Sequence, residues 1–404
     1  MTAKRPAPET CDYAAVAHAL RTHAEDYRRE VHEQLFAQIL PARDLFPMSA
    51  ASAHQELVPA LAWYFEQCAA NTPVAHTEQH LADLAREHRR HGFPPQVYTT
   101  FAECLVAGLD TLKLKPADAT AAAARLHHLA RVMADAAEAA DLAGTAPAHR
   151  LHVVGVRRPN RQVGIVKLSA GLPTQFAPGQ FFAVTTRHLP GTWRELYAAA
   201  PPTAAGELEF HIHATGPASQ LLRAARVGDE WTVGSPRGEF AQGLHQHSSA
   251  DGVYPVLLCF GTGWAPARAW LLGLVDAAVA AGQAPDIEAS VYVIAPSPGH
   301  HYDVVVQENL AALNPDMRMY LLVDSAMDPQ LLGAEPPVVE MDFEVSADPV
   351  SLMLERETTR GNRFILCGPS QRVAQAQAQL LAAGVDCADI EAHPFDRGGL
   401  WELN

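Results

Sequence analysis

Apolar positions in the first third of the chain recur with the period of an α-helix. One stripe consists of residues about one helical turn apart, at Tyr27, Val31, Leu35 and Ile39. A second stripe, Leu81, Leu84 and His88, ends shortly before Gly92, a residue type that commonly terminates a helix. Runs of β-branched residues are few between positions 13 and 143. The pattern therefore predicts an all-α domain.

The pattern changes near residue 151, where short β-rich runs replace the helical periodicity. The runs are LHVVGV, VGIVKL, QFFAVTT, ELEFHIHA and EWTVG, and turns rich in proline and glycine separate them. Several short strands with turns between them are typical of a small antiparallel barrel. We therefore predict a β-barrel domain in the middle of the chain.

Strands and helices alternate beyond residue 251. The apolar runs YPVLLCF, ASVYVIA, MRMYLLV and RFILCG stand among helical segments. This alternation predicts a doubly wound α/β domain. Polar segments at 144–150 and 245–252 are typical of linkers. The sequence thus predicts a multidomain protein, with domains at residues 1–146, 150–246 and 251–404.

Composition and charge narrow the classes of function. The chain has 404 residues and a net charge of -15, with 48% apolar and 19% charged residues. An acidic protein of this kind is a poor match for nucleic acid or an anionic membrane surface. No secretory apolar region follows Met1, and the six cysteines form no CxxC pair. We predict a cytoplasmic protein without a membrane span, a nucleic-acid partner or an obligate protein partner.

A glycine-rich turn carries the clearest chemical signal. Gly261, Thr262 and Gly263 follow the apolar run YPVLLCF and precede a helix. Glycines let a ligand approach the backbone, and the N–H groups at the start of the helix favour a pyrophosphate. A tight turn without a ligand is the alternative interpretation.

Three further motifs accompany this turn, FAPGQFF at 176–182, ATGPASQLL at 214–222 and FILCGPSQRV at 364–373. In this order they resemble the ferredoxin-reductase-like family, in which a flavin barrel precedes a nicotinamide-nucleotide domain. The resemblance implies that the Gly261 turn faces the phosphates of NADH or NADPH. It places Gly216 and Ser219 near the FAD pyrophosphate. Near the nicotinamide it places Cys367, Gly368 and Pro369.

The flavin clamp of that family, Arg-x-Tyr-Ser, is altered in the stretch WRELYAAAPP at 193–202. In the family, the arginine holds a flavin phosphate and the serine hydrogen-bonds the reactive flavin nitrogen. One register keeps Arg194 and places Tyr197 at the serine position. The other keeps Tyr197 as the clamp tyrosine but places Glu195 and Ala198 at the arginine and serine positions. We favour the first register because it keeps the cation.

The helical domain resembles a globin, and the three-domain order resembles a flavohaemoglobin. Phe46 matches the phenylalanine that packs on the haem face, and Tyr98 matches a tyrosine that supports the proximal side. His88 occupies the position of the proximal ligand, and a single axial histidine is how globins hold the iron of haem b. We expect His88 to point inward, with His91 and the neighbouring arginines in solvent. A satisfied core histidine is the alternative interpretation.

The distal side and the C-terminus depart from that family. His32 stands where a tyrosine hydrogen-bonds iron-bound oxygen, and an imidazole could donate that bond or bind the iron itself. The distal glutamine of the family falls at Gln55 or Glu56. Glu138 is the candidate for the carboxylate that pairs with the proximal tyrosine. Phe395 is expected to cover the flavin ring.

Two functions of different classes follow from the resemblance, with a narrower third. In the first, an oxidoreductase passes electrons from NAD(P)H through FAD to haem, where oxygen reacts with nitric oxide, as in a nitric oxide dioxygenase. In the second, a haem-based sensor or interaction protein carries a degenerate reductase module. The third is a haem-free NAD(P)H-flavin reductase. We favour the first, because each departure is a single position within an intact three-domain frame. The loop PSPGHHYD lacks an arginine for a 2′-phosphate, which favours NADH.

Overall fold

The computed structural model describes residues 11–39, 56–70, 72, 74–92, 94–241, 243–244, 254–327 and 343–395. The chain divides into two compact units, and the main boundary between them falls between Ala148 and His149. Helices make up most of the described part of the first unit. Two sheets and their flanking helices make up the second. The finer limits of the three predicted domains stay predictions.

The described part of the first unit contains six α-helices, α1 (Tyr13–Thr22), α2 (Ala24–Gln38), α3 (Leu57–Ala69), α4 (Val74–His88), α5 (Val97–Gly108) and α6 (Pro116–Leu142). Helix α1 packs against α3 and α2 against α5, while α4 and α5 both pack against α6. The predicted stripe on α2 is confirmed, since Tyr27, Val31 and Leu35 are buried in the common core. Ile39, just beyond the helix, is partly buried against that core.

The close approach of α2 and α5 depends on a glycine. A Cβ atom at Gly108 would lie 2.8 Å from the ring of Tyr27 and 2.9 Å from the side chain of Val31. The hydroxyl of Tyr27 donates a hydrogen bond of 2.8 Å to the carbonyl oxygen of Leu105, which satisfies its buried polar atom. These contacts fix the inner side of α2, where His32 is also buried.

The first sheet of the second unit has six strands, β1 (Ala148–Arg157), β2 (Val163–Ser169), β3 (Phe181–Thr186), β4 (Arg194–Tyr197), β5 (Glu207–His213) and β6 (Glu230–Arg237). Helix α7 (Pro217–Arg223) follows β5. The strand order is β4-β3-β6-β1-β2-β5. A bridge between Ala198 and Phe210 brings the end of β4 to β5, so the sheet curls towards a closed barrel. Alternate residues such as Phe182 and Val184 fill its core.

The second sheet is parallel, with the strand order β10-β9-β8-β7-β11-β12. Its strands are β7 (Tyr254–Phe260), β8 (Ala289–Ala295), β9 (Met317–Val323), β10 (Glu344–Val345), β11 (Asn362–Gly368) and β12 (Ile390–Pro394). The helices between them are α8 (Trp264–Ala280), α9 (Val304–Leu313), α10 (Pro349–Leu354) and α11 (Ser370–Ala382). The chain places β8, β9 and β10 on one side of β7 and places β11 and β12 on the other. The carboxyl ends of β7 and β11 therefore border the crevice where ligands of such sheets bind.

The predicted fold class is confirmed, with a helical part, an antiparallel barrel-like sheet and a doubly wound α/β part. The sequence did not predict the short strands β4 and β10 or the edge strand β12. Over the described ranges, no helix is long and apolar enough to cross a membrane.

Candidate functional site

His88 is the last residue of α4 and is partly buried. Burial lowers the pKa of His88 to about 3, and the positive charges of His91 and Arg90 add to this effect. The imidazole is therefore neutral at neutral pH, and a neutral imidazole is the form that ligates metals. Its ring nitrogens have no hydrogen-bond partner among the described residues. The described residues contain no group of three or more His, Cys, Asp or Glu side chains arranged to hold a metal ion.

The residues after His88 are not in solvent, so this part of the sequence prediction is wrong. The side chain of Arg89 is buried, and its Nε donates 2.8 Å to Oδ1 of Asp141 on α6. Its Nη2 donates 2.6 Å to the carbonyl oxygen of Thr145. His91 is partly buried, and burial together with the charge of Arg90 lowers its pKa to about 4. The cause is a 3-10 turn after α4, which turns these side chains away from their α-helical directions.

His32 lies on the inner side of α2 and is 7% exposed. Its ring stacks on Phe36, with ring centroids 5.4 Å apart and an interplanar angle of 28°. Burial lowers the pKa of His32, and the nearby charge of Arg28 lowers it further. His32 is thus a buried, neutral imidazole, a group that can donate a hydrogen bond or ligate a metal.

The other residues that the sequence predicts beside the haem are Tyr98, Glu138, Phe46 and Gln55. Tyr98 lies on α5, and burial raises the pKa of its hydroxyl. Glu138 lies on α6 and is exposed, and no hydrogen bond joins it to Tyr98 within the described ranges. The predicted pairing of these two side chains is therefore not found. Phe46 and Gln55 fall outside the described residues.

The glycine-rich turn after β7 packs directly on the end of β11. A Cβ atom at Gly263 would lie 2.1 Å from the carbonyl oxygen of Cys367, and one at Gly368 would lie 2.8 Å from Phe260. Gly261 and Gly368 also have φ values of +57° and +144°, a range that favours glycine. The structure thus brings together the two predicted nucleotide-binding stretches, whose remaining members are Thr262 and Pro369.

Strand β4 settles which residues of the altered clamp share a face. Leu196 and Ala198 face the barrel core, while Glu195 and Tyr197 point to the opposite face. Arg194 lies on the side of Leu196, is exposed, and donates to the carbonyl oxygen of its neighbour Trp193. Glu195 and Tyr197 thus project together on the face away from the barrel core, as residues i and i+2 of a strand must, and Arg194 projects with Leu196. Whether a flavin meets the face of Tyr197, as the second register implies, stays a prediction.

The face carrying Tyr197 is built from three neighbouring strands. Phe181 of β3 pairs in register with Tyr197 on one side and with Arg237 of β6 on the other. The guanidinium of Arg237 lies 4.8 Å from the ring centroid of Phe181 and forms a 2.5 Å ion pair with Glu195. No pattern in the sequence pointed to Arg237. Its positive charge compensates the negative charge of Glu195 on this face. We call this set, Phe181, Glu195, Tyr197 and Arg237, the flavin face, after the flavin that the sequence predicts beside this strand.

The C-terminal strand brings two aromatic rings to the flavin face. The ring of Phe395 lies 5.7 Å from that of Tyr197 at 40°, and the ring of His393 lies 6.2 Å from it at 87°. His393 is buried and its Nε2 lies 2.7 Å from Oε1 of Glu391. Burial acts to raise the pKa of Glu391, but the hydrogen bond and charge of His393 outweigh it, so the pKa is lowered.

Ser219 uses its hydroxyl within its own turn. Its Oγ accepts hydrogen bonds of 3.0 Å from the backbone N–H groups of Thr215 and Gly216. It also lies 3.0 Å from the carbonyl oxygen of Gly216, to which the hydroxyl donates. The serine therefore shapes the turn before α7 rather than presenting its hydroxyl outward.

Comparison with known proteins gives a match of fold over nearly the whole chain. The flavohemoglobin from Malassezia yamatoensis with bound FAD and heme matches with a TM-score of 0.67 and 16% identity, covering 95% of this chain and 98% of that one. An Amycolatopsis cytochrome P450 reductase matches with a TM-score of 0.48 and 23% identity, covering 62% and 71% of the two chains. The FAD/NAD-binding domain of the Vibrio cholerae O1 biovar El Tor nitric oxide dioxygenase matches with a TM-score of 0.44 and 18% identity, covering 61% and 98%.

No protein-family model and no curated protein matches the sequence. At 16% identity, the match to the Malassezia protein shows a shared fold. The predicted resemblance to flavohaemoglobins is therefore confirmed at the level of the fold.

Proposed function

We propose that this protein is an NAD(P)H-dependent oxidoreductase of the flavohaemoglobin type, with FAD and haem b as its redox groups and a nitric oxide dioxygenase-like activity. The observation that carries the proposal is His88, a neutral, partly buried imidazole at the end of α4 in a chain with a flavohaemoglobin-like fold. When bound, the two groups would supply one-electron transfer and oxygen chemistry. The protein's own residues bind, orient and shield them.

The donor set of the helical unit fits a haem. His88 offers a ring nitrogen whose lone pair is available at neutral pH, because its pKa lies near 3. His32 offers a second neutral imidazole on the buried side of α2, beside Phe36. We propose that His88 is the axial ligand and that His32 donates a hydrogen bond to the small ligand. Oxygen and nitric oxide are the expected small molecules.

The crevice at β7 and β11 fits the phosphates of a nicotinamide nucleotide. A side chain at Gly261 would project into open space, so its absence lets a ligand approach the backbone, while Gly263 lets the turn pack on β11. Helix α8 begins directly after them. After β8, Ser297 hydrogen-bonds His300 at 2.8 Å, and no arginine stands in this loop to meet a 2′-phosphate. We therefore propose NADH rather than NADPH as the electron donor.

The flavin face fits FAD in charge and in aromatic character, with one rearrangement. Arg237 supplies a cation, and Tyr197 supplies a ring on which a flavin can stack. A flat ring inserted between two others needs them about 7 Å apart, because carbon atoms in contact lie about 3.5 Å apart. Tyr197 and Phe395 are 5.7 Å apart, so FAD binding requires Phe395 to move away from Tyr197.

A second candidate function is a haem-based sensor with an inactive reductase part. Two features favour it, the ring contact between Tyr197 and Phe395 and the presence of Ala198 where the family clamp has a serine. If Phe395 stays on Tyr197, the flavin face remains closed by the protein's own side chains. Electrons for the haem would then have to come from another protein.

Titration of the purified protein with haem and with FAD separates the candidates. We expect a Soret band at one haem per chain and quenching of flavin fluorescence at one FAD per chain. His88→Ala should abolish the Soret band of the axially ligated haem, whereas His91→Ala, a partly buried histidine three residues away, should keep it. Haem uptake without flavin would favour the sensor, and flavin without haem would favour a simple flavin reductase. Uptake of neither would contradict all three functions.

A further inference from the structure

A buried carboxylate joins the barrel to the α/β part of the second unit. The side chain of Asp303, just before α9, is only 1% exposed. The φ of this residue is +61°, a left-handed conformation that is unusual for a non-glycine residue. Such strain persists only where the surrounding structure enforces it, and it concentrates at functional positions.

Three side chains from two parts of the unit converge on this carboxylate. Arg157 at the end of β1 donates 3.0 Å to Oδ1 of Asp303. From α8, the indole Nε1 of Trp264 donates 3.0 Å to Oδ2, and Nε of Arg268 lies 2.8 Å from the same oxygen. One barrel strand and the first two turns of α8 are therefore held by a single buried charge.

Arg268 connects this carboxylate to a second one on the barrel. Its Nη1 lies 3.2 Å from Oε1 of Glu209 on β5, and it also donates to the carbonyl oxygen of Ala199. His211 lies 3.3 Å from the same Glu209 oxygen. Burial acts to raise the pKa of Glu209, but His211 and Arg268 outweigh it, and the pKa falls to about 2. Glu209 is thus charged at neutral pH.

The position of this network relates it to both candidate cofactor sites. Trp264 directly follows Gly263 of the nucleotide turn, and Ala199 comes two residues after Tyr197 of the flavin face. Arg268 therefore ties the segment that carries Tyr197 to the helix that begins at the nucleotide turn. Buried ion pairs contribute little net stability, and their best-attested benefit is a defined geometry.

We propose that Asp303 and Arg268 are positioning residues for hydride transfer, because they fix the nucleotide turn relative to the flavin face. This inference rests on the proposed function. In the step concerned, the dihydronicotinamide loses a hydride, with both its electrons, to the flavin. The nucleotide becomes NAD(P)+ and the reduced flavin takes one proton from solvent. A displacement of about 1 Å between two reacting groups can lower a rate about 100-fold.

The test is anaerobic, single-turnover reduction of the FAD-loaded full-length protein by NADH. Asp303→Asn keeps the shape of the side chain and removes its charge. We expect the flavin reduction rate to fall about 10- to 100-fold, while the dissociation constants for FAD and NADH change less than about two-fold. The matched control is Glu357→Gln. Glu357 is another buried carboxylate of the α/β part, and it accepts a hydrogen bond from Tyr292. It should keep the wild-type rate.

A second variant guards against a simple folding defect. Arg157 is 55% exposed, so Arg157→Gln removes one donor to Asp303 without emptying the core. It should lower the rate about three- to ten-fold, because one of the three anchors is lost. Faster amide hydrogen exchange in β1 and at residues 298–303 should accompany the change. If both variants reduce FAD at the wild-type rate, the positioning role is wrong. If the wild-type protein binds FAD and NADH but shows no reduction, the proposed function fails as well.

Discussion

At the residue scale, one ion pair decides the charge of the flavin face. In the second register, Glu195 stands where the clamp has an arginine. Arg237 of β6, on the far side of β3, forms a 2.5 Å ion pair with this carboxylate. Arg194, the cation that the sequence favoured, points to the other side of β4. The cation that serves a flavin phosphate is therefore expected to come from β6.

Substitutions at the two members of this ion pair should change the affinity for FAD in opposite directions. Glu195→Gln removes a negative charge beside the phosphates and should raise the affinity about five-fold, since such a charge contributes up to about 1 kcal/mol. Arg237→Gln should lower it about ten-fold or more, because charge-assisted hydrogen bonds are the stronger ones. Fluorescence quenching measures both. Arg194→Gln should have no effect, and a large loss of FAD affinity in that variant would support the first register instead.

One histidine, His301, also contributes to the pH dependence of the stability of the second unit. His301 is partly buried, its Nε2 lies 2.9 Å from the carbonyl oxygen of Leu322, and its ring stacks on Phe343. Burial is the main cause that lowers the pKa of His301 from 6.5 to about 4, and the charge of His300 adds to it. Between pH 6.5 and 4, the unfolded chain therefore binds a proton that the folded chain excludes.

The free energy of unfolding should fall as the pH drops through this window. One such group contributes a slope of up to about 1.4 kcal/mol per pH unit, and the slope ends below pH 4, where both states are protonated. In urea titrations at several pH values, His301→Gln should flatten the dependence. His152→Gln, which alters an exposed histidine on β1, should leave it unchanged. An unchanged slope in His301→Gln would contradict this assignment.

At the element scale, the end of α4 determines where the candidate haem ligand lies. The helix passes into the 3-10 turn Arg89–His91, and Gly92 closes that turn with a φ of +80°. Within the turn, Arg89 reaches Asp141 near the end of α6 and the carbonyl oxygen of Thr145. The position of His88 is therefore tied to α6, as well as to the packing of its own helix.

Replacing Asp141 and replacing Arg89 should lower the free energy of unfolding by different amounts. Asp141→Ala leaves the buried guanidinium of Arg89 without its counter-charge and should cost about 2 kcal/mol. Arg89→Met removes the charge and refills the space, so it should cost less, about 1 kcal/mol. Arg86→Met breaks an exposed pair with Asp83 and should cost under about 0.5 kcal/mol. Urea unfolding followed by helical circular dichroism gives all three values, and the reverse order for the first two would contradict the account.

At the scale of the whole molecule, the sequence predicted the elements with strong periodicity and missed those without it. The stripes on α2 and α4 predict helices because one face of each helix is buried. The long apolar runs predict strands of the parallel sheet because both faces of these strands are buried. Strand β4 has only four residues, too few for its period of two to choose a clamp register. The turn at Arg89 follows a helix and shares its polar composition, so no pattern distinguishes it.

The polar network around Asp303 shows a different limit of the sequence. Its members Arg157, Glu209, Arg268 and Asp303 are spread over almost 150 positions, and only the fold brings them together. Candidate ligands such as His88 could be named from position alone, because a family pattern marks them. The cytoplasmic location and the absence of an obligate protein partner remain predictions from composition.

The proposed function depends on an electron path from a nicotinamide nucleotide to a haem held by His88. Its most direct test is the absorption spectrum of the protein loaded with haem and FAD, recorded before and after NADH is added without air. We expect bleaching of the flavin bands, followed by a shift of the Soret band to that of reduced haem. A flavin that bleaches beside an unchanged Soret band, or a spectrum that does not respond to NADH, would contradict it.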